Sequence, residues 1–337
     1  MLWIIYTCLA IATVLAVLYL YAFIYEPANF KLSNVDIFIK ENLLLKTGEN
    51  KSGRPILTIL HLSDFHLRKN SKGKKLFNFV RSLDKLSVDF ILITGDLLDS
   101  DRNIEYLIEM LSPLRAKYGK YAVFGVHDHY NKALIEFTKN MFKRKKRYKR
   151  ENDTACIVKR LKGIGIEVLI NESRKVNINN NGINDIEIIG LDDPIVKKID
   201  IIKAFKQING QGKLEPITKS DYRYIFRLKK EKVHKINTKG KLRIILMHTP
   251  DTDSIINLAR KKTDIMFSGH THGGQVRLPL VGAVISGCKI KAKFASGLFY
   301  FRSFVLYVTR GLGEGKYSQF RFLCQPEASL VKIYKLN

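Results

Sequence analysis

Ile265-Met-Phe-Ser-Gly-His-Thr-His-Gly-Gly-Gln275 is the stretch from which the rest of the chain can be read. An apolar run of strand type opens into glycine and histidine, and in extended backbone residues i and i+2 point to one side. On that reading His270 and His272 project together from the carboxyl end of a strand, while the flanking glycines let the backbone turn and approach whatever lies there. Imidazole is a common nitrogen ligand for Zn, Mn or Fe, so two rings on one face propose a metal site.

Other strand-like runs end in the same chemistry. Ile56–Leu62 leads into Ser63-Asp64-Phe65-His66, and Phe90–Thr94 into Gly95-Asp96-Leu97-Leu98-Asp99. Tyr121–Phe124 leads into Gly125-Val126-His127-Asp128-His129, and Leu242–Leu246 into Met247-His248-Thr249-Pro250. The chain has 8 histidines, and all but His61 and His234 sit at these ends, which random scatter would rarely produce. The same parity groups Asp64 with His66, and His127 with His129. Phosphoester hydrolysis needs a hydroxide at neutral pH and positive charge near the phosphoryl oxygens; two divalent cations about 3.5–4 Å apart supply both. A histidine kept protonated by a carboxylate can then hydrogen-bond the phosphate or protonate the leaving oxygen.

At 337 residues and 46% hydrophobic content, the chain can bury one large core or two modest ones. Further β-rich runs lie at Ile166–Ile170, Ile186–Leu191, Val305–Thr309 and Leu330–Tyr334, with helix-period stretches at Asn103–Lys117 and Asp253–Lys262. The alternation predicts an α/β or α+β sandwich carrying its ligands in loops at strand ends. None of Cys8, Cys156, Cys288 and Cys324 forms a CxxC pair, so neither a disulfide framework nor a zinc finger is expected.

Met1 to Tyr25 carries no charged side chain. As a helix it would reach about 37 Å, enough to cross a bilayer core of about 30 Å. An uncleaved single-span anchor is expected over residues 1–25; the alternative, a cleaved signal peptide, lacks a basic n-region. Lys31, Lys40, Lys46, Lys51 and Arg54 follow the span, which places the large domain on the cytoplasmic face. Residues 26–54 then read as a juxtamembrane linker and 55–337 as the folded domain, with basic insertions near 131–155 and 205–241. The net charge of +27 points to an anionic partner or to a lysine-rich compositional bias. Lys143-Arg-Lys-Lys-Arg-Tyr-Lys-Arg150 reads as a solvated run, as a patch on anionic lipid, or as a nucleic-acid groove. For the last, aromatic interleaving beyond Tyr148 is missing.

Asp64-x-His66, Gly95-Asp96, Gly125-x-His127-Asp128, His248 and Gly269-His270-x-His272 together resemble, in order, the five blocks of the calcineurin-like metallophosphoesterases. The resemblance extends from Leu57 to Tyr334. It is nearest to a membrane-associated bacterial branch, through Gly190-Leu-Asp-Asp-Pro194, Ser268-Gly-His-Thr-His-Gly-Gly-Gln275, Ala295-Ser-Gly-Leu298, Leu306-Tyr-Val-Thr-Arg-Gly-Leu-Gly313 and Arg321-Phe322. It implies two central mixed β-sheets flanked by helices and a pair of divalent ions, Mn²⁺ first, with Fe or Zn as alternatives. Asp64, His66 and His272 would hold one ion, His248 and His270 the other, with Asp96 bridging. His127 would act on the phosphate or leaving group, with Asp128 orienting it. Where the family pattern has asparagine, this chain has Val126, which cannot ligate; either water or His129 would fill that place, or the second site would bind metal weakly, or activity would be reduced. The implied substrate is a phosphorylated amphiphile, such as the lipid A precursor UDP-2,3-diacylglucosamine cleaved at its pyrophosphate, or another lipid phosphoester. Phe294–Tyr307 would supply either core packing or acyl-chain contacts. A catalytically weakened metal-binding scaffold and a nuclease are the readings from other classes.

Overall fold

A computed structural model describes residues 1–40, 53–131, 149–180, 183–209, 213–236 and 240–336. Fifteen strands fall in these residues: β1 (Lys31–Lys40), β2 (Leu57–Leu62), β3 (Phe90–Thr94), β4 (Gly119–Val123), β5 (Ile166–Val168), β6 (Glu172–Asn180), β7 (Ile183–Leu191), β8 (His234–Lys235), β9 (Lys241–Met247), β10 (Ile265–Ser268), β11 (Arg277–Leu278), β12 (Gly282–Ala283), β13 (Gly297–Tyr300), β14 (Val305–Val308) and β15 (Glu327–Leu336). Strands β3, β10 and β14 are buried at every position, as near-continuous apolar runs are when a parallel sheet is covered on both faces.

Two mixed sheets result. The first has the order β5-β4-β3-β2-β15-β1-β8, all neighbours parallel except β15 against β2. The second has the order β13-β14-β10-β9-β7-β6, parallel through β14, β10, β9 and β7, with an antiparallel strand at each edge. Side chains from both sheets, among them Ile59, Leu92, Val123, Ile188, Leu246 and Phe267, form the central core. Helices Ser71–Arg81, Ile104–Leu111 and Thr154–Gly163 cover the outer face of the first sheet, and Ile201–Asn209 and Thr252–Arg260 that of the second. The outcome is the sandwich expected from the sequence. It aligns the carboxyl ends of β2, β3 and β4 with those of β9 and β10, where open α/β sheets place their ligands.

Several local expectations need correction. Residues 31–40 are not linker: they form β1, paired in parallel with the carboxyl-terminal β15 from Lys31↔Glu327 to Lys40↔Leu336. Polar residues alternate along β1 because only Ile37 and Ile39 are buried, which hides the strand in the sequence. The helix expected over Asn103–Lys117 stops at Leu111, two residues before Pro113, whose ring cannot be accommodated in a continuing helix. Phe294, Phe301, Phe304 and Tyr307 lie in the core, so the stretch Phe294–Tyr307 packs the interior. Residues 41–52 and 132–148, which hold most of the basic run, lie outside the described residues, as do parts of the second basic insertion.

Helix Leu2–Leu20 buries no side chain, and its continuation through Ala28 makes it long and apolar enough to cross a membrane. Its end is fixed to the domain. The Arg321 N–H donates to Ala22 O at 2.9 Å, Phe23 stacks on Phe320, and Tyr21 meets Phe322 edge-on.

Candidate metal centre

The ligand candidates are placed by turns rather than by strand alternation. Asp64, His66, Asp96, His270 and His272 all have positive φ, between 42° and 67°. Non-glycine residues adopt that region at a cost, and such strain concentrates where function over-determines the backbone. Asp64 and His66 stay together as parity groups them, but each strand ends and the chain turns sharply, so parity does not hold throughout. His270 and His272 accordingly part company: His272 joins Asp64 and His66, while His270 joins Asp96 and His248. A third group links His66, Asp96 and His127; within each group the candidate ligand atoms lie within 4.8 Å of one another. All six metal candidates and His127 thus converge on one centre, from strand ends of both sheets.

Close approach makes glycine necessary at two of these turns. A Cβ on Gly125 would stand 2.3 Å from Asp96 Oδ1 and 2.6 Å from His248 Cδ2. On Gly269 it would stand 2.0 Å from Ser63 Oγ and 2.3 Å from Asp64 Oδ2.

The two carboxylates are held differently, Asp64 through both oxygens and Asp96 through one. Asp64 accepts from Ser63 Oγ at 2.6 Å and from the His270 N–H at 3.0 Å. Asp96 Oδ1 accepts the His127 N–H at 2.9 Å, leaving Oδ2 3.1 Å from His248 Nε2 and 3.5 Å from His66 Nε2. Asp96 therefore stands between the two triads. The imidazoles follow the same logic through Nδ1: His66 pairs with Asp99 Oδ1 at 2.8 Å, His248 with Thr94 O at 2.6 Å, and His272 with Gly313 O at 3.0 Å. Donation from Nδ1 fixes the tautomer and turns Nε2 inward, the arrangement found for metal-ligating histidines. Nε2 of both His66 and His248 is buried without a well-formed hydrogen bond. Carboxylate oxygens set against inward ring nitrogens in this way fit divalent ions that accept mixed N and O ligands.

The electrostatics ask for positive charge at the same place. Burial works against an imidazolium at His248, but the Asp96, Asp64 and Asp193 carboxylates outweigh it and hold its pKa well above the ordinary value. Burial opposes the charged form of His66 too, and Asp99, Asp96 and Asp64 raise its pKa in the same manner. His272 is held well below the usual range, by burial first and then by His66 and Arg321. Burial and the neighbouring Asp96 charge push Asp64 up, against His248, His66 and Ser63.

Two assigned roles do not stand. Asp128 does not orient His127. Its Oδ1 accepts the N–H groups of Leu97 and Leu98 and its Oδ2 that of Gly125, so it ties the β3 and β4 loops together. Burial and the Asp96 charge push its carboxyl up to about 7. The group beside the His127 ring is Asp99, whose Oδ1 lies 3.3 Å from Nδ1. His129 is not an extra ligand: its Nε2 pairs with Asp192 Oδ1 at 2.6 Å and its Nδ1 faces Lys198 Nζ at 3.3 Å. Val126–His129 is a helical turn, in which residues two apart point about 200° away from each other. Asp193, the other half of the Asp-Asp pair, accepts from Thr249 Oγ1 behind His248 at 2.7 Å.

Three supporting residues had no assigned role in the sequence reading. Asp99 joins His66, His127 and Arg68, and its only advance signal was its place three residues after Asp96. Thr94 supplies the carbonyl that holds His248. Arg321, fully buried, donates to the carbonyls of Arg310, Gly311 and Gly313, and the last of these also holds His272.

A family model described as calcineurin-like phosphoesterase matches residues 57–274. The uncharacterized metallophosphoesterase YkoQ of Bacillus subtilis is 27% identical over 306 residues, covering 89% of this chain and 91% of the relative. The phosphodiesterase YaeI of Escherichia coli is 26% identical, covering 82% and 81%. The UDP-2,3-diacylglucosamine pyrophosphatase LpxG of Chlamydia trachomatis is 26% identical, covering 82% and 83%. With the family match spanning most of the chain and the histidine–aspartate centre assembled at its strand ends, this protein belongs to the calcineurin-like phosphoesterase family.

Proposed function

We propose that the chain is a membrane-anchored, metal-dependent phosphohydrolase that cleaves a phosphoester or pyrophosphate bond in an amphiphilic substrate, with its catalytic domain on the cytoplasmic face. The observation that supports this most strongly is the pair of histidine–aspartate triads meeting at Asp96. Asp64, His66 and His272 would hold one divalent cation, His248 and His270 the other, and Asp96 both; Mn²⁺ is the first candidate, with Fe or Zn as alternatives. Bound there, the cations supply an acidified water and a clamp on the phosphoryl oxygens. His127, half-buried at the rim and faced by Asp99, donates a proton to the phosphoryl or leaving oxygen. Asp128 holds the two loops that present Asp96 and His127.

The exposed apolar helix and the charge of +27 favour an anionic lipid-linked substrate. Of the relatives, LpxG bears the name of a pyrophosphatase of such a molecule and YaeI that of a phosphodiesterase. We therefore place a lipid-linked nucleotide pyrophosphate, of the UDP-2,3-diacylglucosamine type, first, and a lipid phosphodiester second. The test is a panel of both classes, with a soluble aryl phosphodiester and DNA, assayed with added Mn²⁺ on the detergent-solubilised chain and on Asp96→Asn. Metal-dependent turnover of the lipid-linked pyrophosphate, lost in Asp96→Asn, is expected. No metal-dependent difference on any substrate would favour the scaffold reading that Val126 motivates, and faster turnover of DNA would favour a nuclease.

A further inference from the structure

Among the described residues of the domain, a run of exposed apolar side chains lies in one hairpin. From Leu278 to Gly287 the chain carries no charged residue, and it presents Leu278, Leu280, Val281, Val284 and Ile285, each more than two-fifths exposed. Strands β11 and β12 form the base of this hairpin. Leu280 is completely exposed and has a φ of 64°, an arrangement that gives nothing to the domain's own packing. A contiguous exposed apolar group of this size marks a surface meant for a partner.

Its position identifies the partner. The segment 320–322 lies between the hairpin and the end of the apolar helix. On one side Phe322 N donates to Gln275 O and Arg277 N to Phe322 O, both at 2.9 Å. On the other, Phe320 and Phe322 pack on Phe23 and Tyr21, and Arg321 holds Ala22 O. Leu323, next in the chain, is exposed as well. The hairpin and the helix are thus fixed to the same three residues. The hairpin also grows directly out of the ligand loop: a Cβ on Gly274 would touch Ala283 Cβ at 2.6 Å, and one on Gly287 would stand 3.9 Å from His270 Nε2. Arg277 precedes the apolar tip, and the exposed Lys291 and Lys293 follow it. Cations beside an apolar tip are suited to anionic headgroups.

We propose that the hairpin between Val276 and Ser286 is a second membrane-contacting element, its tip seated among the acyl chains of the leaflet that the N-terminal helix enters. The inference rests on the membrane-anchored reading and deepens it: two fixed points hold the metal centre at headgroup level, so that a lipid-linked phosphate is reached without leaving the bilayer.

The chain has 1 tryptophan, Trp3, inside the apolar helix, which gives the test an internal control. The full chain is reconstituted into phosphatidylcholine–phosphatidylglycerol vesicles carrying nitroxide-labelled phospholipid. Emission is compared between the native protein and a variant combining Trp3→Phe with Val281→Trp, or with Ile285→Trp as a second reporter on the same hairpin. Quenching by labelled lipid and protection from aqueous iodide at both the helix and the hairpin positions are expected. Quenching of Trp3 with an iodide-accessible hairpin overturns the inference and leaves the anchor standing. Quenching at neither overturns both. A hairpin reporter shielded only at high protein concentration, without lipid quenching, identifies a second copy of the chain as the occupant and overturns the inference too.

Discussion

Replacing Asp99 by asparagine preserves the side chain's shape and removes its charge. In the native protein Oδ1 takes His66 Nδ1 at 2.8 Å, and Oδ2 takes Arg68 Nε at 2.7 Å. Asparagine has one acceptor to offer, so either His66 or Arg68 faces an N–H₂ donor instead of an oxygen. Burial disfavours the Asp99 carboxylate, yet the His66 and His127 imidazoles hold its pKa well below the usual range, so the native group is charged at all working pH values. Loss of an outer partner of a ligating histidine costs about 10–100-fold in metal affinity, or ~1.4–2.7 kcal/mol. His66 belongs with Asp64 and His272, so the loss should fall on that ion and spare the one held by His248 and His270. Competition of the purified chain against a fluorescent Mn²⁺ chelator resolves the two affinities. Turnover of a soluble aryl phosphodiester reports the separate loss of the carboxylate facing His127. Unchanged affinity for both ions, or an equal loss for both, would refute the assignment of Asp99 to the first triad.

Other substitutions separate structure from chemistry. His129→Ala should leave both metal affinities unchanged but destabilise the fold by ~1–3 kcal/mol, because the buried Asp192 loses its partner; a lost ion in the titration would restore His129 to the centre. Asp128→Asn sets a donor against the N–H of Gly125 or of Leu97, which should cost ~1–3 kcal/mol in denaturant unfolding and weaken metal binding with it; native stability would remove Asp128 from its bracing role. Burial pushes His61 down to about 3, so the folded state binds fewer protons than the unfolded chain below pH 6.5. That stability is complete above pH 6.5 and is lost as pH falls toward 3, at ~1.4 kcal/mol per unit. Urea unfolding at pH 7 and pH 5 should therefore show the native protein losing about 2 kcal/mol more than His61→Gln, and equal losses would show that His61 is not the titrating group.

The six ligand candidates were legible because their chemistry is local: an aspartate or histidine at the end of an apolar run, with glycine beside Asp96, His270 and His272. The strand-parity argument that first grouped them held for Asp64 with His66 and failed for His270 with His272. It assumes extended backbone, and five of the six have left-handed φ, a property of turns that strand periodicity cannot report. The same error brought His129 in, because Val126–His129 coils into a helical turn. Asp99 and Arg321 were not assigned their roles for a different reason. Asp99 meets His127 from a separate loop that only the closed sandwich brings near, and Arg321 folds back on Gly313 within the long connection between β14 and β15, a shape that no local pattern reports. Strand β1 escaped notice because its partners, the carboxyl-terminal β15 and the short β8, are both far away in the chain, and its mixed polarity fits a half-covered position near the sheet edge. The core strands β3, β9 and β10, buried along nearly their whole length, were recognisable from composition alone.

The joining of two triads through Asp96 is tested most directly by counting metal ions per chain, in the native protein and in Asp96→Asn, after Mn²⁺ loading and removal of free metal. Two ions in the native protein and no more than one in the variant are the expected result. A native chain that retains none, or a variant that still retains two, would contradict it.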